Sequence, residues 1–304
     1  MTRIDELLRR GPTVSFEFFP PKGQRGDARL RKTFAALTPL QPSFVSVTYG
    51  AGGGTRERTF AWVVEILERT TVPPMSHLTS VCQTRDELAE YLARLRDAGV
   101  ENVLVMRGDE PRDVDEPFWE LEHGVELVAL AREVGGAHFS VGVAAHPEGH
   151  PLSPDLPTDR HFLAEKLSAA DFGVTQFFFR FEDYASMVDD LRARGCDTPV
   201  IPGLIAITNA RQIAEFAALS GAALPSWLRQ CLRAAGDDPR EVRRVGVDVA
   251  TTLGQRLLEA GAPGLHLFTL NRASEARQIV TNLGLDPRGV GRGPGAVGTA
   301  VRHR

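Results

Sequence analysis

The stretch "VSFEFFPP", residues 14–21, alternates as a strand does: Val14, Phe16 and Phe18 face one way, Ser15, Glu17 and Phe19 the other. Pro20 and Pro21 cannot continue a hydrogen-bonded ladder, so the strand stops there and Glu17 lies near its carboxyl end. A glutamate set among three phenylalanines loses solvation of its charged form. Its pKa is expected to rise, which suits a general acid. The plainer alternative is a buried structural ion pair.

The same short strand grammar recurs along the chain, near 14–19, 44–48, 75–79, 102–106, 139–143, 174–179, 200–205 and 264–269. Between the runs lie segments with apolar residues at helical spacing, such as "RTFAWVVEILERT" (58–70) and "RDELAEYLARLRDAG" (85–99). The second opens with a capping box, Thr84 and Glu87, and closes on Gly99. Eight strands, each followed by helix, predict a parallel (β/α)8 TIM barrel rather than an open sheet. Residues 206–263 hold more than one helix, so extra helices are expected between strands 7 and 8. The last of them starts at Asp238, with Pro239 at its first position and Glu241 completing a box. The expected organisation is a single barrel domain over 1–287 and a disordered, Gly/Arg-rich tail over 288–304.

At 304 residues, 42% hydrophobic and 24% charged, the chain reads as a soluble globular enzyme. A net charge of −4 and a pI near 6.1 argue against nucleic acid or an anionic membrane surface as partner. No apolar run reaches the roughly 20 residues that span a bilayer. The start, "MTRIDELLRRGP", lacks the apolar core of a secretory signal. Cys82, Cys196 and Cys231 are far apart and form no CxxC, so they read as reduced thiols of a cytoplasmic protein.

Active sites of such barrels sit at the carboxyl ends of the strands. There the sequence delivers Glu17, Thr48 and Tyr49, His77, then Arg107, Gly108 and Asp109 from "VLVMRGDEP". Strand five runs into "AAHPEGHP" with His146 and His150, strand six holds Gln176, and strand eight ends on Asn271 and Arg272. Each has a plainer reading. His77 could be a satisfied core histidine, and Arg107 with Asp109 a loop ion pair. "HPEGH" spaces two histidines around a carboxylate, but Pro147 and Gly149 deny it the helix that HExxH zinc sites need, so no metal is expected. "YGAGGGTRE" (49–57) has neither GK[ST] nor GxGxxG, so neither a Walker nor a Rossmann site is supported.

Taken in order, "SFEFFPP", "FVSVTYGAGGGTRERT", "HLT", "VLVMRGDEP", "TQFFF", "IPGL" and "FTLNRA" resemble the bacterial methylenetetrahydrofolate reductase family over about residues 12–285. The resemblance implies a flavin-containing (β/α)8 barrel that holds FAD. It would use NADH or NADPH to reduce 5,10-methylenetetrahydrofolate, in polyglutamylated form if Arg272 meets the tail carboxylates, to 5-methyltetrahydrofolate. Glu17 would then be the acid that protonates N10 and opens the ring to an N5 iminium, and Asp109 the carboxylate beside pterin and flavin. Gln176 matches a contact of both pterin and nicotinamide. Thr48, Tyr49, His77, Arg107, Gly108, His150, Asp159 and Lys166 match flavin or nicotinamide contacts, and Gln212, Phe216 and Arg272 folate contacts. Gln212 also has a plainer reading, as the partner of Asn209 in a capping box. Dimers or tetramers are usual in the resembled family, so self-association is expected.

Four departures stand out. His146 occupies a flavin-contact position where the family usually has tyrosine, and "EKLSAADFGVTQ" is one residue short of the usual stretch and lacks its glycine. Ala206 stands where proline is common, and "ELEHGVEL" (120–127) departs from the small-residue pattern expected after strand four. Three of these four fall in flavin-associated segments, so loosely held flavin is expected. A folate-dependent methyl transferase or oxidase working in reverse with a partner protein, a member without tightly bound flavin, and a non-catalytic scaffold remain alternatives at this point. Retention of Glu17, Asp109 and Gln176 argues against the last.

Overall fold

The computed structural model describes residues 2–21, 23–49, 55–111 and 114–285. The glycine run at 50–54 and the expected tail at 288–304 lie outside the described residues. Eight parallel strands close into a barrel in sequence order. They are β1 (Thr13–Phe18), β2 (Phe44–Val47), β3 (Pro74–Thr79), β4 (Asn102–Met106), β5 (Ser140–Ala145), β6 (Phe172–Phe177), β7 (Val200–Ile205) and β8 (Gly264–Phe268). Every strand expected from the sequence is present, with ends displaced by at most two residues. The helices are α1 (Ile4–Arg10), α2 (Gly23–Leu37), α3 (Arg56–Arg69), α4 (Arg85–Asp97), α5 (Gly124–Gly135) and α6 (Leu156–Ala169). They continue with α7 (Phe181–Ala193), α8 (Ala210–Ser220), α9 (Ser226–Ala235), α10 (Pro239–Glu259) and α11 (Ala273–Asn282). Among the described residues no helix is long and apolar enough to cross a membrane.

Strand alternation divides the core in two. Phe16, Phe18, Val45, Val47, Leu78, Val103 and Val105 point outward and pack with helix residues such as Leu30, Trp62, Val63, Leu88 and Leu92. Phe44, Met75, Leu104, Phe172, Val174 and Ile201 form a separate inner cluster. Ile4 of α1 belongs to that inner cluster, so this helix plugs the amino-terminal end of the barrel. Two otherwise unpaired helix N–H groups are satisfied there: Ile4 N donates to Asn102 Oδ1 at 2.8 Å and Asp5 N to Ser140 Oγ at 3.1 Å.

The extra helices expected after strand seven are α8, α9 and α10. They bury Ile213, Ala217, Leu228, Leu232 and Val242 against Phe177, Phe179, Ile205 and Ile207 at the ends of β6 and β7. The close approach of α10 depends on Gly246, where a Cβ would lie 2.0 Å from the Ile207 carbonyl oxygen. Of the expected caps, the Thr84–Glu87 box is complete. At α10 the Asp238 side chain accepts from Arg240 N at 2.8 Å, but Glu241 pairs with Arg244 at 2.9 Å instead of closing the box. At α8 the Asn209 side chain accepts from Gln212 N at 2.9 Å, which is half of a box.

Candidate active site

Glu17 does not sit among phenylalanines. The alternation that brings its carboxylate into the barrel lumen turns Phe16 and Phe18 outward to the helices. What surrounds it instead comes from neighbouring strands. Glu17 Oε2 lies 3.3 Å from His266 Nε2 and 3.6 Å from His77 Nε2, and its side chain is 6% exposed. The other ring nitrogen of His266 is 2.7 Å from Ser15 Oγ, and Ser46 Oγ is 3.4 Å from its Nε2. An imidazole protonated at Nε2 donates to the carboxylate and leaves Nδ1 to accept from Ser15. The partners that Glu17 finds are thus imidazoles rather than a permanently charged arginine or lysine.

The main chain around Glu17 is splinted from the β8 side. Thr269 Oγ1 donates to Glu17 O at 2.6 Å. The Asn271 amide brackets Phe19, accepting from its N–H at 2.9 Å and donating to its carbonyl at 2.8 Å. Leu270 and Asn271 take left-handed backbone angles, φ 50° and 55°, to make this reach. A side-chain amide thereby pairs the main chain of Phe19, the last residue before the two prolines.

His77 is not a satisfied core histidine. Its Nε2 is buried with no hydrogen-bond partner, as are Tyr49 Oη and Thr79 Oγ1 nearby on the ends of β2 and β3. Burial pushes the His77 imidazolium down to about 4, with Glu17 pulling the other way, so the ring is neutral at neutral pH. Burial also pushes the Tyr49 hydroxyl up. Thr48 is tied into the scaffold, its N–H donating to Phe18 O at 2.9 Å and its carbonyl accepting from Thr59 Oγ1 at 2.8 Å. Gly108 turns the chain after β4 with φ 82°, and a Cβ there would meet Thr79 Cβ and Val81 Cγ1 at 2.8 Å. No other residue fits.

The plainer reading of Arg107 and Asp109, a loop ion pair, is not met among the described residues. The Arg107 guanidinium stacks instead over Trp119, 3.9 Å from the ring centroid, and Trp119 Nε1 donates back to Arg107 O at 3.2 Å. Asp109 is left exposed at the mouth. It is close enough to act on His150, as are Arg107, Lys166 and Asp159.

His146 and His150 meet edge to face, centroids 4.7 Å apart. Burial drives His146 down to about 3, with His150 and Lys166 adding to the effect. Lys166, whose Nζ donates to Ala144 O at 2.7 Å, is pushed down to about 8 by burial, Asp159 opposing. Asp159 itself works on the loop: it accepts from His150 N at 2.9 Å, Ser153 Oγ at 3.1 Å and Arg160 Nη1 at 2.9 Å. "HPEGH" is a turn rather than a helix, with Gly149 at φ 91°.

The folate candidates lie on the far side of the mouth. Phe216 packs against the cluster holding Phe177, and Phe177 meets Phe268 edge to face at 6.3 Å. Phe268 in turn meets His266 at 5.5 Å, so an aromatic path links α8 to the Glu17 cluster. Gln212 and Gln176 are half-buried, and the Gln176 side chain accepts from Phe177 N at 2.9 Å. Arg272 is exposed at the start of α11.

His266, Thr79 and Trp119 of the site were missed in the sequence. His266 could have been found from strand phase, since it pairs with Ser15 and alternates with the outward-facing Leu265 and Leu267. Trp119 lies in an irregular segment with no periodic signal.

The displaced imidazoles set a pH dependence, led by His77 and His146, with His150 lowered in the same direction. His77 and His146 titrate lower in the folded chain than their ordinary value of 6.5, so the unfolded chain binds protons more tightly. Their stabilisation is complete above about pH 6.5 and is lost as pH falls toward 4. The His77 share is on the order of 3 kcal/mol. The melting temperature should therefore fall between pH 6.5 and 4.5, and His77→Asn with His146→Asn should flatten that slope; an unchanged slope in the double variant contradicts the assignment.

A closed parallel barrel with a buried carboxylate between two imidazoles, and unpaired polar atoms at its carboxyl ends, has the layout of an α/β-barrel enzyme. The chain belongs to the methylenetetrahydrofolate reductase family, whose model, described as "Methylenetetrahydrofolate reductase", matches residues 3–284. It is 34% identical over 275 residues to the 5,10-methylenetetrahydrofolate reductase of Pectobacterium carotovorum, covering 90% of this chain and 91% of the relative. It is 35% identical to that of Escherichia coli K12 over the same shares. A plant relative, "Methylenetetrahydrofolate reductase (NADH) 1" of Arabidopsis thaliana, is 32% identical and matches 93% of this chain but 50% of its own length. A solved structure from Clostridium thermocellum shares the fold, with a TM-score of 0.65 at 14% identity, over 95% of this chain and 99% of that one; its description says that it binds two copies of 5-methyl-5,6,7,8-tetrahydrofolic acid.

Proposed function

We propose that this chain reduces 5,10-methylenetetrahydrofolate to 5-methyltetrahydrofolate at the barrel mouth, with NADH or NADPH as hydride donor and FAD as cofactor. The observation that carries the reading is the buried Glu17 carboxyl group, 3.3 Å from His266 Nε2 and 3.6 Å from His77 Nε2, in a chain of this family. The free thiols Cys82, Cys196 and Cys231 accord with work in a reducing cytoplasm.

The mouth fits a flavin. Tyr49 Oη, His77 Nε2 and Thr79 Oγ1 are buried without partners, and such atoms call for a ligand's complementary polar edge. Thr48, Tyr49, His77, Arg107, Gly108, His146, His150 and Lys166 would hold it, with Asp159 fixing the loop that carries His150. When bound, the flavin supplies hydride transfer between nicotinamide and folate.

The residues do the rest. Glu17, entering the step as the protonated acid, gives that proton to N10 of the folate and is left as the carboxylate. The bond from N10 to the bridging carbon breaks with its electron pair kept on nitrogen, leaving the N5 iminium. His266 Nε2–H then donates to the carboxylate that remains. Asp109 accepts hydrogen bonds from the pterin's amino edge, and its charge stabilises the cation. Gln176 orients the pterin, Gln212 and Phe216 hold the remainder of the folate, and Arg272 meets its glutamate carboxylates. Incubation with 5,10-methylenetetrahydrofolate and NADH or NADPH should yield 5-methyltetrahydrofolate by mass spectrometry; absence of that product with flavin supplied contradicts the reading.

His146 carries a prediction of its own. With a half-buried imidazole where the family usually has tyrosine, FAD should bind more weakly than in the His146→Tyr variant. Fluorescence titration of apoprotein should show tighter binding in the variant by about tenfold, the worth of one hydrogen bond. An unchanged dissociation constant removes His146 as the cause.

A further inference from the structure

The carboxylate of "HPEGH" is used by neither the Glu17 cluster nor the group around His150. Both oxygens of Glu148 accept the N–H of Ala223, at 3.0 and 3.1 Å, from the connection between α8 and α9. A second contact lies beside this one. Pro151 packs against Gly221, where a Cβ would fall 2.6 Å from Pro151 Cγ and where φ is 75°. The loop after β5 and the end of α8 are thus joined at two points.

The two sides of this junction differ in how they are held. The loop is fixed from beneath by Arg160, 1% exposed, which donates to His146 O at 3.1 Å and Pro147 O at 2.5 Å. Asp159 anchors its far end at His150. The α8–α9 connection spans only 221–225 between two surface helices, and Ala223 N has the Glu148 carboxylate as its partner. Gly221 closes α8, the helix that presents Gln212 and Phe216. The Arg180–Asp183 pair lies close to Glu148 on the same side.

We propose that Glu148 is a positioning residue that fixes α8 over the barrel mouth, so that the loop bearing His146 and His150 sets the place of the helix that meets folate. This rests on the function proposed above. Glu148 touches neither ligand and acts through Ala223.

Hydrogen exchange and kinetics on the full chain test it. In Glu148→Ala, exchange in a peptide covering 221–224 should accelerate about tenfold or more, while peptides from β5 and β8 keep their rates. The KM for 5,10-methylenetetrahydrofolate should rise about tenfold with kcat within about threefold, and anaerobic flavin reduction by NADH or NADPH should be unaltered. Glu148→Gln keeps one acceptor oxygen and should recover most of both effects. The proposal is overturned if exchange at 221–224 is unchanged in Glu148→Ala. It is overturned equally if exchange accelerates throughout the barrel and kcat falls with KM constant, which marks a general structural role. A chain that makes no 5-methyltetrahydrofolate defeats the reading above, while the exchange measurement still decides whether Glu148 holds α8.

Discussion

Glu17→Gln is expected to slow folate reduction by about 100-fold to 10,000-fold while leaving flavin reduction by NADH or NADPH within about twofold. Glutamine keeps the length of the side chain and an oxygen to accept from His266 Nε2, so the bracing 3.3 Å contact survives. Main-chain support from Thr269 and Asn271 does not involve the carboxylate at all. What is lost is the proton. The upper end of the range is expected because ring opening must precede hydride arrival at the bridging carbon, whereas nicotinamide oxidation needs no protonated substrate nitrogen. Stopped-flow spectroscopy of the two half-reactions separates the outcomes. A parallel fall in both identifies Glu17 as a structural brace of the lumen, and unimpaired folate reduction means the proton comes from elsewhere.

Asp109→Asn should lower the rate of folate reduction by about tenfold to a hundredfold, the equivalent of roughly 1.5–3 kcal/mol for one charge-assisted interaction. Its fold should be unaffected. Asp109 is exposed, and the Arg107 guanidinium beside it in sequence is spent on Trp119, so neutralising the carboxylate strands no partner. A neutral amide accepts fewer hydrogen bonds from the pterin and stabilises the iminium poorly. A variant within twofold of the parent in folate reduction, at matched melting temperature, removes Asp109 from the mechanism.

The barrel was readable because its signals are local. Each strand is a short run closed by proline, glycine or a polar turn, and eight of them alternating with helical periods leave few topologies open. Helix α1 was not read, since seven residues show barely two turns of period. Its marks were Asp5 and Glu6 in the first turn, Arg9 and Arg10 in the last, and Gly11 beyond, which complement the helix dipole. The positions of the polar residues at strand ends were legible for the same reason as the strands, but their partners were not. Alternation separates Glu17 from Phe16 and Phe18; it does not say that His266, 249 residues away, and His77 will meet the carboxylate. Arg107 shows the converse error. Proximity in sequence suggested Asp109, whereas the planar guanidinium found the face of Trp119.

The visible spectrum of the purified chain under anaerobic conditions tests the central claim most directly. The account predicts a yellow protein, after reconstitution with FAD if binding is loose, that bleaches on addition of NADH or NADPH and regains its colour on addition of 5,10-methylenetetrahydrofolate, with 5-methyltetrahydrofolate formed in equal amount. A protein that takes up no flavin, or whose bleached flavin is not reoxidised by the folate, contradicts it.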